Sequence, residues 1–333
     1  MAKGGKAANE AGGGRATPGD FVEAALRAAR RAYPPGNPEG VFAFDFGPRV
    51  RRGVVQREQT LRLYVGRKDG HAPPVSVLRF GHAGVRHRLQ PDVVATGVVA
   101  RAAIGRGLRC SGLHPGASLL VRDGGARWGG VACLLVAGSE KYLLTAGHLF
   151  RPGAARAPVA CSLGPGRPMR VVGVLFSNLL DRDAASGEDD PLDAALVALT
   201  PAGEAVLAAT DEARAPRLTN LIDAEAAAEG RVQCYRPTAN DYSPPVACSF
   251  GRRVAYLAAD ARPTPVVVSA ALRTDFVITS EGDSGSILCS VGDERLAAGL
   301  CVGSDGVGSL FAPLDRCLDR FNELHGLELR LWP

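Results

Sequence analysis

The stretch that most constrains this chain is S-E-G-D-S-G-S at Ser280–Ser286, which runs directly into the apolar triplet Ile287-Leu288-Cys289. A serine flanked by Gly282 and Gly285 fits a tight turn in which backbone N–H groups converge near the Ser284 hydroxyl. Acyl transfer needs this arrangement, because it places amide donors where a developing oxyanion would form beside a nucleophilic oxygen. A serine hydroxyl is a weak nucleophile alone, so the chain should also supply a base and a group that orients it.

Two upstream motifs supply these groups. An apolar strand pattern ends in T-A-G-H at His148, and Asp193 opens the apolar run A-A-L-V-A-L. The chain order is therefore His148, Asp193, Ser284. We predict that His148 is the general base and then the general acid, and that Asp193 fixes the imidazole tautomer and stabilises the imidazolium.

Two other acidic residues, Asp189 and Asp190, are rivals for the role of Asp193. Asp193 is preferred because the apolar run begins immediately after it, which predicts a position at the edge of a buried strand. A residue that orients a histidine would suit such a position.

In this order and spacing, the three motifs resemble the trypsin/chymotrypsin-like serine proteases, including bacterial trypsin-like peptidases of the PA fold. The resemblance covers roughly residues 110–330, and the D-x-A-x-x-x-L pattern of that family matches at Asp193. It implies a mainly β fold, with two antiparallel β-barrels, a C-terminal helix and a site in the cleft between the barrels. It also implies that the N–H groups of Gly282 and Ser284 form the oxyanion hole.

The same resemblance raises a question about Asp283. In secreted zymogens of the family, the equivalent aspartate pairs with an N-terminal amine that proteolysis releases. Here more than 100 residues precede the first barrel, with no evident activation site. We therefore expect a protein that is not a zymogen, with Asp283 held by another donor that the sequence does not identify.

The resemblance also assigns a substrate pocket. Its base falls on Ile278, which favours an uncharged substrate side chain over arginine or lysine. The opposite wall falls on Val302, Gly303 and Ser304. The glycines of the loop 303–308 could leave room for substrate backbone, or they could simply form a hairpin turn.

Composition limits the partners. The net charge is only +5, and its basic residues, mostly arginine, are dispersed apart from short clusters such as Arg86-His87-Arg88. This pattern argues against nucleic acid as a partner. No run of about 20 apolar residues predicts a membrane span, and the Gly/Ala-rich start lacks the apolar core of a signal peptide.

The eight cysteines favour a reduced, cytoplasmic protein. Cys133, Cys289 and Cys301 lie in apolar strand patterns typical of small buried thiols. Cys133 could be one half of the disulfide that secreted relatives carry beside the histidine, but Leu149 follows His148, so the usual partner is missing. No C-x-x-C pair exists, and we expect neither a metal nor a cofactor.

The remaining pattern divides the chain. We predict a disordered tail (1–19), a small α+β domain (20–105) and a protease domain (106–333) with barrels at 110–200 and 230–312 and a helix at 313–325. The α+β domain would brace the first barrel or serve as a regulatory module. His114 is predicted to lie on the surface, residues 181–191 to form an acidic loop, and Leu324 to share the buried face of the last helix.

The leading hypothesis is a serine endopeptidase that hydrolyses polypeptides. One alternative is a catalytically silent protease fold that serves as a binding or scaffold protein. A second is an esterase or other acyl hydrolase that uses the same residues. A third is an effector protease activated by a regulatory partner through residues 20–105.

Overall fold

A computed structural model describes ten segments of the chain: 18–51, 54–66, 77–95, 112–162, 168–186, 191–210, 217–257, 265–292, 295–305 and 307–332. The tail up to residue 17, residues 101–111, Asp189, Asp190 and Gly306 lie outside the described residues, and the predictions made for them stay predictions.

The chain is mainly β. The helices are α1 (Pro18–Ala32), α2 (Leu179–Ser186), α3 (Pro201–Ala208), α4 (Ala224–Glu229) and α5 (Leu314–His325), with one 3-10 turn at Gly147–Leu149. The strands before the first barrel are β1 (Val41–Arg51), β2 (Val54–Val65), β3 (Leu78–His82), β4 (Val85–Leu89) and β5 (Asp92–Ala95). The strands of the first half are β6 (Ser118–Arg122), β7 (Ala126–Gly130), β8 (Cys133–Ala137), β9 (Glu140–Thr145), β10 (Pro158–Ser162), β11 (Met169–Asn178) and β12 (Ala195–Leu199). The strands of the second half are β13 (Leu218–Leu221), β14 (Arg231–Arg236), β15 (Asp241–Tyr242), β16 (Val246–Leu257), β17 (Val266–Thr274), β18 (Ile287–Ser290), β19 (Arg295–Ser304), β20 (Ser309–Pro313) and β21 (Arg330–Leu331).

The first barrel contains β6 to β12. Its hydrogen-bonded order is β8-β9-β12-β11-β10-β6-β7, all antiparallel, with β21 added beside β8. Only Val131 and Ala132 separate β7 from β8, and their N–H groups donate to Ala117 O and Leu144 O, both at 2.8 Å. The link between β7 and β8 is therefore hydrogen-bonded to the residue before β6 on one side and to β9 on the other. These bonds close the barrel around an apolar interior.

The second barrel closes by strand pairing alone. Its order is β14-β18-β19-β20-β17-β16, and β16 returns to β14 through the pairs Arg231↔Ala247 and Val232↔Val246. Closure removes free sheet edges, which would otherwise template unwanted pairing. Two antiparallel barrels followed by α5 confirm the fold class that the sequence predicted.

The C-terminal helix packs by one face. Leu314, Cys317, Leu318 and Phe321 are buried, and Gly326 ends the helix with a left-handed φ of 63°. Left-handed backbone at this position favours glycine, which lacks a Cβ that would clash. The prediction that Leu324 shares the buried face was wrong, because 39% of this residue is exposed.

The N-terminal module consists of α1 and β1 to β5. Contrary to the expectation that it braces the first barrel, it extends the sheet of the second barrel, because β1 pairs antiparallel with β16 at Ala43↔Ala255. Strands β2 and β5 continue the sheet outward from β1. Helix α1 covers this extension with a separate apolar cluster.

Two local predictions in the first barrel were also wrong. Residues 181–191 were predicted to form a loop, but residues 179–186 form the helix α2. His114 is buried, with Nδ1 donating to Pro115 O at 2.8 Å. Burial lowers the pKa of His114 below its ordinary value of 6.5, and the bond to Pro115 O opposes that change.

Candidate active site

Strand pairing places His148 beside Asp193. His148 lies in the 3-10 turn that follows β9, and Asp193 lies two residues before β12. Because β9 and β12 pair antiparallel with Thr145 opposite Ala195, the exit of one strand meets the entrance of the other. Two residues that are distant in sequence thereby reach one end of the first barrel.

The structure brings the three predicted side chains into one contact chain. His148 Nδ1 lies 2.7 Å from Asp193 Oδ2, and His148 Nε2 lies 2.9 Å from Ser284 Oγ. A carboxylate can only accept, so Nδ1 carries the proton and Nε2 is left to accept from the serine hydroxyl. Asp193 Oδ1 also accepts from the His148 backbone N–H at 2.8 Å, which fixes both the turn and the ring.

These three residues are almost fully enclosed. The exposed fraction is 4% for His148, 2% for Asp193 and 3% for Ser284. An ionic or polar interaction in such a site is stronger than in water because little solvent screens it.

The Ser284 turn is held from both barrels. Ser284 O accepts from Gly130 N of the first barrel at 2.7 Å, and Gly285 N donates to Cys301 O of the second at 2.8 Å. Cys301 N returns a bond to Ser286 O at 2.8 Å. The nucleophile candidate therefore lies at the junction of the two barrels.

Gly285 is required by this junction. Its φ is +88°, and an added Cβ would lie 2.5 Å from both Gly130 O and Thr145 Oγ1. A side chain here would be strained by backbone conformation and would also push the barrels apart. The sequence signalled a tight turn, while the close approach of the first barrel is visible only in the structure.

The turn also presents the two predicted oxyanion donors. Gly282 has a φ of 92°, and Asp283 N donates to Ser280 O at 3.0 Å. Within the described residues, no acceptor is found for the N–H groups of Gly282 and Ser284. Both N–H groups are thus available to a ligand oxygen.

Asp283 is completely buried, and the structure identifies its donor as Thr238. Thr238 Oγ1 donates to Asp283 Oδ1 at 2.7 Å and Thr238 N does so at 3.3 Å, while Ser280 N donates to Oδ2 at 2.8 Å. Burial raises the pKa of Asp283 above its ordinary value of 3.8, and these hydrogen bonds oppose the rise. Thr238 was not a sequence candidate, because nothing in its local pattern marks a contact with a residue 45 positions away.

Asn178 is a second residue that sequence reasoning missed. Its Nδ2 donates to Gly147 O at 3.0 Å, and its Oδ1 accepts from Leu180 N at 3.2 Å. Asn178 ends β11 directly beside the turn that carries His148. It therefore ties the start of α2 to the histidine turn.

The predicted pocket residues are all poorly exposed. Ile278 packs with Cys301 and Phe311 in the core of the second barrel. Val302 packs in the large cluster that runs between the barrels and the N-terminal module. Ser304 is buried, and Gly303 has a φ of 150° beside a register shift between Cys301 and Gly303. The side chains of Ile278, Val302 and Ser304 are therefore buried in packed surroundings, and none of the four positions carries an ionisable group.

The described segments contain neither a metal-binding cluster nor a membrane-spanning helix. No group of three or more His, Cys, Asp or Glu side chains is arranged there to hold a metal ion. None of the described helices combines the length and apolar character needed to cross a membrane.

Comparison with known proteins gives matches among solved structures. A glutamic-acid-specific serine protease, described as using a novel histidine triad in substrate binding, is 16% identical, with a TM-score of 0.44; the match covers 66% of this chain and 100% of that one. Protease A of Thermobifida fusca is 17% identical over 66% and 98% of the two chains, with a TM-score of 0.38. The MamO protease domain of Magnetospirillum magneticum is 18% identical over 62% and 96%, with a TM-score of 0.35.

All three of these proteins are described as proteases. No protein-family profile matches the chain. No curated protein sequence matches it either.

Proposed function

We propose that this chain is a serine endopeptidase that hydrolyses peptide bonds through an acyl-enzyme intermediate. The observation that carries the proposal is the unbroken contact from Asp193 through His148 to Ser284, with distances of 2.7 and 2.9 Å. A protein that only bound a ligand would not need a nucleophile, a base and an orienting carboxylate in this arrangement.

The proposed steps follow from the proton positions. Ser284 Oγ attacks the peptide carbonyl carbon while His148 Nε2 takes the hydroxyl proton, and Asp193 stabilises the resulting imidazolium. When the tetrahedral intermediate collapses, the C–N bond breaks and His148 returns the proton to the leaving amine. Water then attacks the acyl-enzyme by the same route and releases the carboxylic acid and free Ser284.

Oxyanion stabilisation is proposed for the N–H groups of Gly282 and Ser284. Both are unpaired within the described residues, and the Thr238–Asp283 contact holds the turn that presents them. Removal of one such donor typically lowers kcat by about 10²–10³-fold. For substrate choice, we propose an uncharged side chain facing the wall of Ile278 and Gly303, because no ionisable group lies at these positions.

The proposal extends to partners and location. The substrate would be a polypeptide, and a regulatory partner would bind the N-terminal module. A cytoplasmic location is proposed from the seven described cysteines, which are buried free thiols in apolar surroundings. Burial raises the pKa of the Cys248 thiol to about 11 and that of Cys289 to about 12, which keeps both thiols protonated and unreactive.

A peptide-library digest tests the activity. Wild-type protein should generate new N-termini that mass spectrometry detects, and Ser284→Ala should generate none. Asp193→Asn should keep the fold but lower kcat by about 10⁴-fold, because the histidine would adopt the wrong tautomer. Asp223→Asn, which alters only the cap of α4, is the control and should match wild type.

Three outcomes separate the alternatives. Cleavage of small esters without any peptide products would favour an acyl hydrolase over an endopeptidase. Folded wild type that cleaves neither substrate class would contradict the proposal and favour a binding or scaffold role. Activity that appears only after addition of cell extract would favour a partner-activated protease.

A further inference from the structure

Leu257, the last residue of β16, packs against Gly303, which the proposed function places at the substrate side chain. A Cβ built on Gly303 would lie 2.9 Å from Leu257 Cδ1 and 3.9 Å from Leu257 Cγ. Leu257 thus fills the space that a side chain at position 303 would occupy. Leu257 and Val302 are also members of the same buried apolar cluster.

Alternation along β16 shows why Leu257 points there. Neighbouring side chains of a strand face opposite sides, so Ala255 and Leu257 share one face and Tyr256 lies on the other. Ala255 and Leu257 belong to the cluster that contains Val302, whereas Tyr256 belongs to the cluster of the N-terminal module. The hairpin is therefore packed between the module and the substrate wall.

The N-terminal module fixes the hairpin from its far side. Tyr256 OH donates to Tyr33 O, the backbone oxygen just after α1, at 2.8 Å, and its ring packs edge-on against Phe44 at 6.1 Å. On the other face, Ala43 of β1 lies directly opposite Ala255, and both are fully buried. These contacts leave the Leu257 side chain little freedom to move away from Gly303.

We propose that Leu257, held in place by the N-terminal module, is a specificity-determining residue that narrows the substrate cleft at Gly303. The inference rests on the proposed peptidase function. It gives the module a role in substrate selection: the cleft accepts small uncharged side chains and disfavours large ones.

The test compares cleavage of two peptide substrates that differ only in alanine or phenylalanine before the scissile bond. Leu257→Ala should raise the ratio of kcat/KM for the phenylalanine substrate over the alanine substrate by at least about 10-fold, the discrimination that one or two methylenes supply. Leu257→Val, which is less disruptive to folding, should raise the ratio less.

Val266→Ala is the matched control. Val266 pairs directly with Leu257, is equally buried and belongs to the same apolar cluster, but it is not the residue that contacts Gly303. This variant should keep the wild-type ratio although it loses comparable apolar volume.

Fluorophosphonate labelling of each variant reports whether the Ser284 site itself is intact. An unchanged ratio in a labelled Leu257→Ala protein, or an equal change in Val266→Ala, would overturn the inference while leaving the peptidase proposal standing. If wild type and Leu257→Ala are both folded, unlabelled and inactive, the peptidase proposal fails and the inference fails with it.

Discussion

Asp283 illustrates how a single buried carboxylate depends on its hydrogen-bond donors. It lies next to the nucleophile candidate and has no exposed surface, so only its partners compensate for lost hydration. Thr238 supplies both a hydroxyl and a backbone N–H. The expectation from the sequence was that some donor other than an N-terminal amine would be present, and the structure identifies that donor.

We predict that Thr238→Val destabilises the protein more at pH 7 than at pH 4. Burial raises the pKa of Asp283, so its contribution to stability is greatest below its ordinary pKa and falls as the pH rises through the folded value. Loss of the Thr238 hydroxyl raises this pKa further. The free energy of unfolding should fall by about 1.5–3 kcal/mol at pH 7, the typical contribution of a hydrogen bond to a charged group.

Denaturant titrations at both pH values measure this difference. Thr238→Ser keeps the hydroxyl and should restore most of the stability. A Thr238→Val protein that loses the same free energy at pH 4 and pH 7 would show that the ionised form of Asp283 does not depend on this bond.

The sequence could predict residues with local signatures and not those defined by distant contacts. His148, Asp193 and Ser284 each stand in a motif that joins a polar residue to an apolar strand, and their order limits the chemistry. Thr238 and Leu257 contribute through contacts with residues that are distant in the sequence. The residues next to Thr238 and Leu257 in the sequence give no indication of those contacts.

At the scale of elements, the sequence predicted two antiparallel barrels and a C-terminal helix, but strand partners were harder to foresee. Strand β1 was expected beside the first barrel and pairs with β16 of the second. A strand has no local signature that names its partner, because backbone groups pair with any extended chain. Helix α2 was mistaken for a loop because the stretch from Asp181 begins with the charged residues Asp-Arg-Asp and shows no helical apolar period.

Helix α5 gives a pH prediction at this scale. His325, its last residue, lies with Nε2 2.9 Å from Ser177 Oγ of β11, so the helix of the second half docks on the first barrel. Partial burial and the nearby charge of Arg182 lower the pKa of His325 below its ordinary value of 6.5. A lowered histidine pKa means that stability is present above pH 6.5 and is lost as the pH falls below it.

Thermal unfolding between pH 7.5 and pH 5 checks this prediction. Wild type should lose stability as the pH falls through 6.5, and His325→Gln should lose less over the same interval. His114 acts in the same direction, so His114→Gln is a useful companion variant. Identical pH slopes for wild type and both variants would contradict the assignment.

At the scale of the whole molecule, the candidate site exists only where two barrels meet. His148 and Asp193 belong to the first barrel and Ser284 to the second, and the bond from Gly130 N to Ser284 O joins the two. Each barrel has its own apolar interior. Relative displacement of the barrels would therefore separate the base from the nucleophile.

Gly285→Ala should show this dependence. The added methyl would meet Gly130 O and Thr145 Oγ1 at 2.5 Å, so the barrels must separate or the turn must change. We expect a loss of at least about 2 kcal/mol in the free energy of unfolding, together with loss of Ser284 reactivity. Gly251→Ala, where an added Cβ meets nothing within 4 Å, is the control. Equal stability and reactivity of the two variants would refute the close approach.

The central claim is that Ser284 is an activated nucleophile, and intact-mass measurement after reaction with a fluorophosphonate tests it most directly. Wild type should gain the mass of one adduct, mapped to Ser284 by peptide sequencing. Ser284→Ala and His148→Ala should remain unmodified although folded. A folded wild type that gains no adduct, or a Ser284→Ala protein that gains one, would contradict the claim.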